Sequence, residues 1–407
     1  MDRRGWSLMQ DRVNFDEAWY LQAYPDVKVA IETGKLRSAW DHYSQHGKAE
    51  GRSPQRMTFD RVFAHGAYGT NNVGDEAIYE GIKVHYPQCI QIFINKTHVQ
   101  GALWYWDVIR QDEFFRGDDL LIIGGGGLLY ARQAVIDMIN LARKARAAGA
   151  TVHLLGLGCE AAQPEYYAEI RTLVSLASKV TVRTSLSRAI LRDICGSEPE
   201  QQEDFAFSLR QYVAPGAGSV GRRARIGVVT GGDMRVSYAE LVAAIRSVTE
   251  QLPVERREVN FVHIPHSMAY VSPANNDLTV GHGLWSSVGM ATPHTDDYFT
   301  VDSFTPNPLE RLRRYRDLDG VISARFHGLI FAEIVGVPAL ALWGATAKNR
   351  SLLEDRQRPG LFAARDDSDL RAQFDRFIAY VLGNRRRYRE STGGFAAPRD
   401  MARVSCI

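Results

Sequence analysis

The chain has 407 residues, more than one ordinary hydrophobic core organises, which points to two domains with a small appendage. Hydrophobic residues make up 45% and charged residues 24%, a globular balance that excludes the disordered and fibrous classes. With 49 Lys and Arg against 47 Asp and Glu, the formal charge is only +2, so no surface-wide field would gather nucleic acid and any anion recognition has to be local.

Met1 to Gln10 carries Arg3 and Arg4 with no apolar stretch behind them, and no window approaches the roughly 18 consecutive apolar residues of a membrane span. A cytoplasmic protein is expected. Cys89, Cys159, Cys195 and Cys406 lack CxxC or Cys/His metal spacing and read as free thiols in a reducing compartment. Arg385-Arg386-Arg387 reads as a solvated helix end, leaving at most a peripheral association with the inner face of the cell membrane.

Residues 14–54 form a unit of two or three short helices, with Gly34 and Gly47 as stops. Trp19, Tyr20, Tyr24, Trp40 and Tyr43 at helical spacing read as a mini-core in preference to a carbohydrate platform. The order YPDV, HY, HG, EGR resembles a small helical module found beside bacterial glycosyltransferases. From Phe59 onward, strand, loop and helix alternate: RVFAHG then EAIYEGIKVHY, DDLLIIGGGG then a helix from about Ala134 to Ala148, TVHLLGLG then another helix, KVTVR then SLSRAILRDI. That rhythm predicts a parallel sheet covered on both faces. The Gly- and Pro-rich stretch 213–223 reads as a linker, and a second series follows from RIGVVTGG through VNFVHIPHS, PLERLRRYRDL, GVIS and GLIFAEIVG to ALALW. The expected organisation is a small helical module (1–56), an N-terminal Rossmann-like domain (57–212), a C-terminal Rossmann-like domain (213–360) and a helical tail (361–407). Two such domains would face each other across a cleft, with ligand groups on loops at the carboxyl ends of strands.

Four segments can carry chemistry. In GAYGTNNVGDEAI (66–78) a strand runs into glycines and asparagines and then a helix opened by Asp75 and Glu76, so backbone N–H groups and Asn72 can face a ligand, or Gly74 and Asp75 can simply turn and cap the helix. The spacing is neither a Walker motif nor a dinucleotide fingerprint. Gly124 to Gly127, after the apolar run Leu120–Ile123, would let a substrate approach the backbone, with Gly125, Gly126 and Gly127 lining the wall. Arg183 ends the strand KVTVR with Ser187 four residues on; it can grip a carboxylate or phosphate through two parallel hydrogen bonds, or form a salt bridge at the domain edge. In SARFHGLIFAEIVGVPALAL (323–342) a tight turn holds Arg325 and His327 before Gly328 starts an apolar helix. Arg325 would neutralise an anion and His327 could move a proton; the plainer reading pairs Arg325 with an acid such as Glu333 and has His327 fill the domain interface. His266, with Asp277 beyond it, and Lys348 are secondary candidates. The pairs Asp118-Asp119 and Asp296-Asp297 lack supporting ligands, so no metal site is expected.

Taken in order, NVGDEAI, IIGGGGLL, VTVR with a following Ser, and SARFHGLIFAEIVGVPALAL resemble the polysaccharide pyruvyl transferase family over about residues 60–355. The resemblance implies an α/β fold of two Rossmann-like domains in a GT-B-like arrangement, phosphoenolpyruvate as donor substrate with no cofactor, and a saccharide acceptor, free or lipid-linked, destined for a cell-surface polysaccharide. Carried over by motif, Arg325 and His327 would hold the donor, Arg183 would be a second anion contact, and the Asn72-Gly74-Asp75 loop with Gly125–Gly127 would line the facing wall. Asp75 and Glu76 are weaker proton-transfer candidates beside His327. Two places depart from the family pattern: Thr184 stands where an acidic residue often follows the strand-end Arg, and GLGCEAA (156–162) lacks a Gly-Pro ending. Both bear on the acceptor. A GT-B glycosyltransferase using a nucleotide sugar, with its diphosphate near Arg325 and Lys348, and a non-catalytic glycan-binding scaffold are the competing readings.

Overall fold

A computed structural model describes residues 15–47, 50, 52, 59–93, 101–216, 223–232, 234–250, 259–268, 276–289, 298–344, 346–357, 360–363 and 370–391. Arg3, Arg4, the Asp296-Asp297 pair, Cys406 and residues 217–222 of the expected linker lie outside these.

The amino-terminal unit is built from the helices Glu17–Ala23, Pro25–Glu32 and Ala39–His42. Asp16 and Ser38 cap the first and third, accepting from Trp19 N and Asp41 N. Tyr20, Val27, Ala39 and Tyr43 form its core, with Phe15, Trp19, Tyr24 and Trp40 packed around them. The aromatic residues therefore pack among themselves, as expected for a mini-core.

Two fully parallel sheets follow. The first contains β1 (Arg61–His65), β2 (Ile90–Phe93), β3 (Leu103–Trp104), β4 (Asp119–Gly126), β5 (Thr151–Leu157), β6 (Lys179–Val182) and β7 (Glu200–Gln201), in spatial order β3-β2-β1-β4-β5-β6-β7. The second contains β8 (Ala224–Val229), β9 (Val259–His263), β10 (Phe299–Val301), β11 (Gly320–Ser323), β12 (Ala339–Ala341) and β13 (Leu361–Ala363), in order β10-β9-β8-β11-β12-β13. In both sheets the order reverses beside the first strand, between β1 and β4 and between β8 and β11. Loops leaving the carboxyl ends of strands diverge at such a point and leave a crevice.

The strand β13 is the edge of the second sheet, and the helix Leu370–Ser391 buries Phe374, Phe377, Ile378 and Val381 with Val228, Phe261 and Leu340 of that domain. The described residues 361–363 and 370–391 thus pack into the second domain's core. A separate apolar cluster straddles the domains: Val73, Ala77, Phe207 and Leu209 pack with Phe326, Leu329 and Ile330. The helix Phe326–Val335 is buried along its whole length, which explains why its sequence is apolar on every side.

Backbone hydrogen bonds join the domains as well. Val73 N donates to His266 O at 2.8 Å and Met268 N donates to Asn71 O at 2.9 Å, an antiparallel seam centred on Asn72 and Ser267. Asn71 takes a left-handed φ of 57° there, a conformation that Asn tolerates better than most residues. Among the described residues, no helix is long and apolar enough to cross a membrane.

Candidate active site

The loop after β1 leads into the helix Val73–His85, whose N-cap Asn72 accepts from Gly74 N at 3.1 Å. Asp75 follows in the first turn. On the facing domain, β11 ends at Ser323, and Arg325 is the N-cap of the helix Phe326–Val335. That helix begins two residues before Gly328, because Ser323 Oγ accepts from Arg325 N at 3.2 Å and donates to Arg325 O at 2.8 Å, closing the turn early. Gly328 is pressed against this Ser323 side chain. His327 consequently lies within the first helical turn, with its ring against the backbone of Gly74: a Cβ at Gly74 would meet His327 Nδ1 at 2.3 Å. Gly74→Ala is therefore expected to destabilise the fold by about 1–3 kcal/mol through overpacking. It should also displace the imidazole, read as a lower denaturation midpoint together with reduced turnover.

His327 Nε2 is 3.6 Å from Asp204 Oδ2, just beyond hydrogen-bond distance. Asp204 caps the 3-10 segment Phe205–Tyr212, accepting from Ala206 N at 2.9 Å, and takes Arg183 Nη1 on Oδ2 at 3.1 Å. Burial alone would raise the Asp204 carboxyl, but His327, Arg183 and the Ala206 amide outweigh it and hold the group well below the ordinary carboxylate range. Arg183 is buried, with its guanidinium 4.2 Å over the ring of Phe326. Its Nε is buried and makes no hydrogen bond, so the cation is committed on one edge and unsatisfied on another.

The glycine wall is shaped for this group. β4 runs through Gly126, and Gly124, Gly125 and Gly126 all have positive φ. A Cβ on Gly125 would strike Ile78, one on Gly126 would sit 3.5 Å from Asp75 Oδ1, and one on Gly127 would sit 3.9 Å from Arg183 Nη2. Tyr68 OH donates to Gly124 O and pins the run from below. Asp75 keeps some exposed surface at the cleft but is otherwise enclosed by protein. Desolvation raises its carboxyl, His327 and Arg183 pull it down, Asp204 pushes it up, and Arg325 lowers it again; the net shift is upward. Two carboxyls in one cleft are thus driven apart, Asp75 toward the protonated form and Asp204 toward the ionised form.

The model of the polysaccharide pyruvyl transferase family matches residues 36–345. The chain belongs to the polysaccharide pyruvyl transferase family. The match starts inside the amino-terminal helical unit, earlier than the motifs that carry the resemblance. No curated relative matches the chain in sequence. Among solved structures it is similar to MnaA of S. aureus determined with UDP, at 9% identity and a TM-score of 0.53, covering 81% of this chain and 89% of that one. It is also similar to a Listeria monocytogenes protein assigned as a UDP-N-acetylglucosamine 2-epimerase, at 10% identity and a TM-score of 0.51, covering 80% and 89%. At these identities the likeness is one of fold, a GT-B-like pair of Rossmann-like domains.

Among the residues singled out in the sequence, Asp75, Gly126, Gly127, Arg183 and His327 converge on this family member's cleft, with Gly74 and Gly125 shaping its floor and wall. Others are engaged differently. Arg325 does not pair with Glu333: its Nε and Nη2 bind Asp277 Oδ2 and Oδ1 at 2.9 and 2.6 Å, and Asp277 also accepts from the backbone N–H of His266 and Ser267. Arg325 is thereby tied to the interdomain seam, with Nη1 left outside the fork. Glu333 faces Arg356 instead, at 3.4 Å. The imidazole of His266 is fully buried, bonded to Tyr315 OH at 2.6 Å and packed on Phe331, so its ring belongs to the core and only its backbone joins the seam. Glu76 accepts from Gly69 N at 2.7 Å, holding the loop above the helix, and burial raises its carboxyl to about 7. Ser187 is buried in the first turn of the helix Ser185–Cys195 that follows β6, and Lys348 opens the helix Lys348–Arg356 beyond β12.

Asp119 is taken by Arg61 through two bonds of 2.8 and 2.6 Å, and no cluster of His, Cys, Asp and Glu among the described residues is arranged to hold a metal ion. The residue that sequence reasoning passed over is Asp204. Its one signal was its place, an acid just past the last short strand of the first sheet, where its side chain reaches the same crevice as Arg183.

Proposed function

We propose that this protein moves the enolpyruvyl skeleton of phosphoenolpyruvate onto two hydroxyls of a saccharide, forming a pyruvate ketal and releasing phosphate. The observation that carries the reading is Arg183: a buried guanidinium, paired through Nη1 and unsatisfied at Nε, beside the glycine wall and near two carboxyls shifted in opposite directions. Such a guanidinium suits a small polyanion. Arg325, its plane fixed by Asp277, adds a second positive charge that Asp75 senses across the seam.

The reaction needs one proton delivered and two removed. Protonation of the donor's methylene carbon makes the adjacent carbon electrophilic. The first acceptor hydroxyl bonds to that carbon and loses its proton. The C–O bond to phosphate then breaks, phosphate leaving with the electron pair, and the second hydroxyl takes its place and loses the other proton. Asp75, whose carboxyl burial shifts upward, is suited to the delivery. His327, steadied by the ionised Asp204, is suited to accept a hydroxyl proton. One proton ends on the methyl group and the other on the departing phosphate.

The direct test is ligand stabilisation of the purified chain. Phosphoenolpyruvate at about a hundred times its dissociation constant should stabilise the protein by roughly 2.7 kcal/mol, a shift of several degrees in Tm. UDP-N-acetylglucosamine is the comparison that matters, since a fold neighbour was determined with UDP. A shift with the nucleotide sugar and none with phosphoenolpyruvate would overturn the proposal. Phosphate release with acceptor present separates an enzyme from a glycan-binding scaffold.

A further inference from the structure

Beyond β5 the chain turns through Gly158, Cys159 and Glu160. Glu160 Oε1 accepts from Thr184 Oγ1 at 3.0 Å and from Ser187 Oγ at 2.8 Å. Both donors are fully buried, Thr184 caps the helix Ser185–Cys195, and Cys159 N donates to Ser187 Oγ at 3.0 Å. One oxygen of this carboxylate is therefore fixed to a rigid part of the fold. The other, Oε2, makes no hydrogen bond, and Glu160 as a whole is half-buried.

The free oxygen faces Arg183. A Cβ built on Gly158 would lie 2.7 Å from Arg183 Nη2 and 2.9 Å from Glu160 Oε2, so a gap smaller than a methyl group separates the two side chains. They do not pair; the ion-pair partner of Arg183 is Asp204. A carboxylate held beside a guanidinium but not on it weakens an anion site, because it repels the anion that the guanidinium attracts. What it can do is accept. A carboxylate oxygen is acceptor-only and a sugar hydroxyl is a donor, so the pair Thr184–Ser187 presents a fixed hydrogen-bond acceptor within reach of whatever Arg183 binds.

We infer that Glu160 is an acceptor-binding residue: Oε2 receives a hydroxyl of the saccharide and holds it next to the donor at Arg183. This rests on the pyruvyl transfer proposed above. It gives a task to the segment that departs from the family pattern, where Thr184 and Glu160 now share a hydrogen bond.

The test is Glu160→Gln, whose amide oxygen can still accept from Thr184 and Ser187 and so keeps the turn. Calorimetric titration with phosphoenolpyruvate should show the variant binding the donor about three- to tenfold more tightly, because a like charge has left the site. Steady-state phosphate release, with polysaccharide isolated from cells lacking the protein as acceptor, should show KM for that acceptor at least tenfold higher. Loss of the charge alone accounts for the donor affinity, and a purely structural role leaves the acceptor KM unmoved. Unchanged donor affinity, or tighter donor binding with an unaltered acceptor KM, overturns the inference and leaves the pyruvyl transfer reading intact. A wild-type protein that binds no phosphoenolpyruvate overturns both.

Discussion

Arg183→Gln is expected to lower kcat/KM for phosphoenolpyruvate by about 10²- to 10³-fold, the usual worth of a charge-assisted contact in a water-poor site. The same change should destabilise the protein by roughly 3 kcal/mol, since it leaves Asp204 buried with only His327 at 3.6 Å and the Ala206 amide for partners. Stability and activity are separated by adding Asp204→Asn to the variant. The double substitution removes the stranded charge, so Tm should recover while donor binding stays lost. Recovery of both would mean that Arg183 serves the fold and not the ligand.

Asp204→Asn alone is expected to cut kcat by on the order of 10²- to 10³-fold with far less effect on donor affinity, because it removes the anion that steadies a protonated His327. Its pH signature is more specific. With Asp75 as the proton donor, activity falls as pH rises through the Asp75 value, which burial lifts above its ordinary 3.8. The charge of Asp204 contributes to that lift, so neutralising it should move the alkaline limb of the kcat profile to lower pH. An unmoved limb would remove Asp75 from the role. The stability effect has its own sign. Asp204 is held below its ordinary 3.8, so its contribution is complete above that pH and is lost as pH falls toward the lowered folded value. Denaturation midpoints of wild type and variant should therefore converge in acid.

Much of the fold is legible because long apolar strands and amphipathic helices carry their period in the chain. β4, β5, β8 and β9 and the helices between them lie where the alternation of patterns predicts. The short edge strands β3, β7, β10 and β13 have two or three residues each, too few for any periodicity to register. Their partners across the sheet decide them. The site divides along the same line. Asp75, Arg183 and His327 stand out because each sits at the end of a recognisable strand or the start of a helix. Asp204 does not, since β7 before it is itself invisible and it is preceded by another acid, Glu203. The Asp277 partner of Arg325 is 48 residues away in sequence, and only the folded second domain brings the two together. Gly74 is the converse case: a glycine that reads as a turn former is required because an imidazole from the other domain rests on it.

The seam between Asn71–Val73 and His266–Met268 has a mechanical consequence. The lobes are joined there and again where Ser185 N and Gln201 Nε2 donate to Asp355 Oδ2 and Arg356 pairs with Glu203, so they are braced along two lines, and His327 lies at the first, against Gly74. Bracing of this kind holds the spacing of Asp75, Asp204 and His327 without any closing movement, so the cleft stands assembled before anything enters it.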